Sequence, residues 1–117
     1  MFGDVTSVAL RVAMSGLAAR QRATADNVAN IATPGFLAGR VQFEDSLRDA
    51  VRSGDVGRIA SSGSTTSRSL EPTREDGNNV NLDTESISGT DTVLRYQLLT
   101  QAVTDRMSLL RTAMRTS

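Results

Sequence analysis

A chain of 117 residues with 38% apolar side chains has room for one small domain at most, and that apolar share is low for a globular core. Neither cysteine nor histidine occurs, which excludes thiol nucleophiles, disulfides, imidazole bases and most transition-metal ligand sets. Thirteen arginines, the whole basic complement, balance thirteen acidic residues, so the basic footprint of a nucleic-acid partner is missing.

The first segment is apolar enough to resemble a secretory signal, but Asp4 stands where such a signal is basic and Arg11 interrupts it. No run approaches a membrane span, so the chain is expected to be soluble when made. From Val5 to Ala32 the spacing predicts a helix. Leu10, Met14, Leu17, Val28 and Ile31 alternate at four and three residues, with Gln21 and Thr24 polar in the middle of the stripe. Ala18, Ala25, Ala29 and Ala32 form an adjacent stripe that would permit close helix approach. Asn27 and Asn30 share one face, where their amides are expected to bond across a subunit boundary. At Thr33-Pro34-Gly35-Phe36 the helix must stop, because Pro34 forces Thr33 extended and Pro-Gly favours a type II turn.

Residues 37–52 form a short amphipathic segment, with Phe43, Leu47 and Val51 on one face of a helix. Residues 53–75 are rich in Ser, Thr, Gly and Arg and read as a flexible linker, since Val56, Ile59 and Leu70 cannot offset the ordering entropy alone. The serines between Ser61 and Ser67 fit that linker better than a modification site. Residues 76–117 then comprise an extended strap and a second long helix.

In the strap, Asp76 to Glu85 offers many oxygens, but a calcium loop of the EF-hand kind needs Gly sixth and Glu twelfth. Here Gly77 is second and Glu85 tenth. Gly77, Asn78 and Asn79 suit left-handed turn geometry, Val80 and Leu82 alternate as in an extended strap, and Asp83 is placed to cap the helix. Ser88, Gly89 and Thr90 weaken its first turns, so firm helix is expected from Thr90. Further on, Tyr96, Leu99, Val103, Met107, Leu110 and Met114 recur at helical spacing, widened by Leu94, Leu98, Ala102 and Leu109. Paired carboxylates at Asp76 with Glu75 or Glu85 lack a basic partner and a pocket, so no catalytic residue, metal or cofactor is assigned.

The fold class is therefore all-α: two long terminal helices pairing as a coiled-coil hairpin, divided as 1–36, 37–52, 53–75 and 76–117, with a largely irregular middle. Two rods share one seam and bury little, yet both carry wider apolar faces than one seam uses. Further copies or related chains are the simplest cover for the excess. A coiled-coil adaptor would use the same helices.

Ala25-Asp26-Asn27-Val28-Ala29-Asn30 followed by Thr33-Pro34-Gly35-Phe36 resembles the N-terminal signature of bacterial flagellar rod and hook proteins. Asp76 to Glu85, Arg95-Tyr96-Gln97, Gln101 and Ser108 to Arg111 resemble the proximal rod member of that family. Asp26 in place of Asn, and Gly89 where a helix-facing Met is expected, depart from its pattern. The resemblance implies a structural subunit of the basal body, exported by the flagellar type III apparatus without a cleaved signal and transmitting torque for motility. It implies partners in other copies, related rod proteins, the ring–rod junction protein, the membrane ring and the export gate, with no nucleic acid and no small-molecule substrate. On it, Leu10, Met14, Leu17, Val28 and Ile31 pack against Leu99, Val103, Leu110 and Met114. Asn27, Asn30 and the Thr33 to Phe36 turn fix the chain's exit, and Gly77 to Asp83 returns it.

Overall fold

The computed structural model describes residues 4–116, so the outermost residues of the expected segments 1–36 and 76–117 lie outside it. Helix α1 (Val5–Ala29) begins at Asp4, whose carboxylate accepts the Ser7 amide at 2.8 Å and satisfies one of the orphan donors of the first turn. It stops three residues earlier than the periodicity predicts. Asn30 already has non-helical backbone, and Pro34 and Gly35 follow in a bend. In that bend Phe36 donates to the Thr33 carbonyl and Gly35 has φ +75°, the marks of the expected type II turn.

The middle of the chain is more ordered than its composition implies. Strand β1 (Gly39–Gln42) leads into helix α2 (Glu44–Ser53), then helix α3 (Val56–Ser61) and strand β2 (Thr65–Arg68). β1 and β2 pair antiparallel, with Gly39 opposite Arg68 and Gln42 opposite Thr65. Residues 53–75, expected as a flexible linker, thus hold a helix and a strand. The reason lies outside the segment. Asp55 caps α3 by accepting the Gly57 and Arg58 amides, and Ile59 is fully buried against Val8 and Ala50. Ordering is offset by surface that α1 supplies, which local composition does not reveal.

Helix α4 (Leu82–Thr116) runs 35 residues back along α1. Its cap is Asn81, whose side-chain oxygen accepts the Asp83 and Thr84 amides; Asp83, expected as the cap, sits in the first turn. The helix is continuous through Ser88, Gly89 and Thr90 instead of starting near Thr90. There Thr92 is buried and donates its hydroxyl to the Ser88 carbonyl.

α1 is the spine of the molecule, which measures 66 × 25 × 15 Å. One face carries Val8, packed with Ala50 and Ile59 and flanked by Val5, Ala9 and Val12. A second carries Leu17, packed with Val41 and Phe43 and reached by Leu99 of α4. Close approach uses Ala13, Gly16 and Ala23, whereas Ala25, Ala29 and Ala32, expected for that task, are exposed. At Gly16 the Phe43 ring lies so near that a Cβ would stand 2.5 Å from it.

Candidate assembly surface

Two polar clamps set the register of the antiparallel helix pair. At one end Arg106 of α4 donates to the Ser7 hydroxyl at 3.1 Å and pairs with the Asp4 carboxylate. The Ser7 amide, with some help from Arg106 and against burial, holds the Asp4 carboxyl below its ordinary value. At the other end Asn27 is 1% exposed and bonds in three directions. Its amide nitrogen donates to the Gly39 carbonyl at 3.1 Å and to Glu85 Oε1 at 2.6 Å, while its oxygen accepts the Gly39 amide at 2.8 Å. Glu85 is equally buried and receives Arg40 Nη1 at 2.7 Å. One amide side chain thereby joins α1, β1 and α4.

A second polar cluster fastens the turn to the strap. Asn78 donates to the Asn30 and Thr33 carbonyls at 2.8 and 2.9 Å and accepts the Val80 amide at 2.7 Å. Asn79 accepts the Ala38 amide at 2.7 Å and donates to the Ser69 and Glu71 carbonyls. Arg74 bonds the Val80 and Ile31 carbonyls. Gly35 donates to the Asp76 carbonyl at 2.8 Å, and Gly77, with φ +82°, would place a Cβ 3.3 Å from the Gly35 Cα. Neither Asn78 nor Asn79 takes the left-handed conformation expected of them, because their side chains stand in for missing backbone partners. The oxygens that evoked calcium are engaged likewise: Asp76 accepts the Asn78 amide and Asn81 caps α4. Asp76 and Glu85 do not form a catalytic pair, since Glu85 is closed in by Arg40 and Asn27.

Along the helix pair the seam is apolar and narrow. Leu10 and Met14 line a groove of about 390 Å³ with Val103, Met107 and Leu110, and Leu17 meets Leu99 in the core. Tyr96 flanks Leu17 across a second groove. Other expected partners diverge. Val28 is 41% exposed and faces the start of α4, near Gly89 and Val93. Ile31 lies against the strap beside Val80 and Leu82. Met114 is 75% exposed and lies eight residues past Arg106, whose partner Asp4 is the cap of α1. Asn27 and Asn30, expected to bond across subunits, are engaged within the chain; Asn30 donates to the Asp26 carbonyl and accepts the Thr33 hydroxyl.

Missing from the sequence reading were the Val5, Val8 and Val12 face of α1, strand β1 and the Arg40–Glu85 pair. The first had a signal, since three valines recur at spacings of three and four. The second had a weaker one, with Val41 and Phe43 buried in alternation with Arg40 and Gln42. The third had none, because nothing near Glu85 in sequence marks it for burial.

Outward, α4 leaves a second apolar stripe bare: Ile87 at 72%, Leu94 at 55%, Leu98 at 70% and Leu109 at 73% exposure. At 100° per residue this stripe lies about 145° around the helix from the seam. Residues 10–36, most of α1 and the whole turn, match the family model described as Flagella basal body rod protein. The likeness to that family covers the N-terminal segment, about a quarter of the chain. No curated protein matches the chain. Among the described residues no helix is long and apolar enough to cross a membrane.

Proposed function

We propose that this chain is the proximal rod protein FlgB, a subunit that assembles with its own copies and related rod proteins through the flanks of α1 and α4 and transmits torque for motility. The observation that carries the reading is the union of two sequence blocks in one site. The family-matched helix and turn at 10–36 are locked by Asn78, Asn79 and Arg74 onto the 76–85 strap. A rod wall must resist twist, and helices held in one register by clamps at both ends deform less than a pair joined by a flexible link. The exposed members of the interface set, Val28, Tyr96 and Met107, then face neighbours in the wall.

On this reading the subunit leaves the cytoplasm through the flagellar type III apparatus. It lodges near the membrane ring, the export gate and the ring–rod junction protein. Deleting the chain should abolish swimming and leave basal bodies without rods, and density for it should appear in intact basal bodies at the base of the rod. Normal basal bodies in the deletion strain would overturn the proposal and favour a coiled-coil adaptor. Density further along the rod would favour another rod protein.

A further inference from the structure

The bare stripe of α4 changes character along its length. From Glu75 to Leu94 there is no basic residue, and Asp83, Ile87, Asp91 and Leu94 fall within an arc of about 80°. All four are exposed. Acid and hydrophobe alternate down one line.

Beside this strip lies its chemical complement. A groove of about 480 Å³ runs between α2 and α4, floored by Leu17, Phe43 and Leu47 and walled by Val51 and Leu98. Its charged edge is basic: Arg48 and Arg52 from α2 and Arg95 from α4. The one acid there, Glu44, is already neutralised by Arg20. Arg48 and Arg95 hold only exposed pairs, to Asp45 at 3.1 Å and to Asp91 at 2.9 Å, which cost little to exchange. Arg52 has no ion pair among the described residues.

We propose that the Asp83–Ile87–Asp91–Leu94 strip of one copy seats in the α2/α4 groove of a second copy. Ile87 and Leu94, seven apart, would enter the apolar floor as helix-in-groove anchors, and Asp83 and Asp91 would meet the arginine edge. Charge complementarity selects the occupant. The groove wants an acidic amphipathic helix, and the chain itself carries one, exposed and rigid. This inference rests on the assembly reading above and names the contact that assembly would use.

The test exploits the absence of cysteine from the chain. Val51→Cys and Ile87→Cys, at positions 36% and 72% exposed and each in a separate copy of the chain, are expressed together in the deletion strain and oxidised in intact cells. The expected result is a disulfide-linked dimer from the mixture, at least tenfold above either variant alone, in cells that swim. Swimming cells without that dimer, or with dimers from one variant alone, would overturn the contact while leaving the rod reading intact. A deletion strain with normal rods would overturn both. As a check independent of oxidation, Arg52→Asp should reduce swimming at least tenfold and Asp83→Arg in the same chain should restore it. Loss without rescue, in a variant whose melting is unchanged, would also count against the contact.

Discussion

Gly16 and Gly89 are the sharpest contrast among single residues, because both lie inside helices and only one is needed there. A Cβ on Gly16 would meet the buried Phe43 ring at 2.5 Å, whereas one on Gly89 would touch Thr24 at an ordinary 3.6 Å. Replacing an interior helical glycine by alanine contributes about 1 kcal/mol, and overpacking costs about 1–3 kcal/mol. Gly89→Ala is therefore expected to raise stability by about 1 kcal/mol. Gly16→Ala should lower it by up to about 2 kcal/mol, both read from urea melts. Asn27→Ala strips the buried Gly39 amide and carbonyl and the Glu85 carboxylate of a partner at once. Buried polar groups left unpaired cost about 1–3 kcal/mol each, so a loss of about 3 kcal/mol or more is expected by the same measurement. The sequence marks Asn27 as unusual but not its partners, since Gly39 and Glu85 lie far along the chain and pair with it only once β1 and α4 are in place.

Among elements, α1, α4 and the amphipathic helix α2 were legible, whereas β1, α3 and β2 were not. Helical spacing is a local signal; it located the end of α1 to within three residues but set the firm start of α4 eight residues late. α3 and β2 draw their stability from α1 and β1, so their own composition reads as a linker. The junction of β1 and α2 also sets a pH response. Arg20 spans it, bonding the Val41 carbonyl and Glu44 and lying 5.0 Å from the Phe43 ring centre. Burial raises the Glu44 carboxyl, but hydrogen bonds from Arg20 and from the Glu44 and Phe43 amides outweigh it, and the value falls below the ordinary 4.5. A carboxyl depressed in the folded state binds protons more weakly there than when unfolded, so its stabilisation is present above pH 4.5 and is lost as pH falls through the depressed value. Asp4 acts with the same sign, from an ordinary 3.8. Urea midpoints should therefore decline as pH drops below about 4.5. Glu44→Gln should be less stable at neutral pH and show a shallower acid decline.

For the whole molecule the two clamps have a consequence for how its length can change. Asp4–Arg106 and Asn27–Glu85 fasten opposite ends of two antiparallel rods, so each rod measures the other. One residue inserted in α4 between Glu85 and Arg106 turns everything beyond it by 100° and advances it 1.5 Å, so both clamps cannot close together. Such an insertion should lower the melting temperature sharply. Seven residues added to α4 alone would keep the facing sides but overshoot by about 10 Å. Seven added to both rods, midway between the clamps, should restore melting. The same chain would then be longer with its ends unchanged, so a lineage could lengthen it only through matched duplications in two distant stretches of its gene.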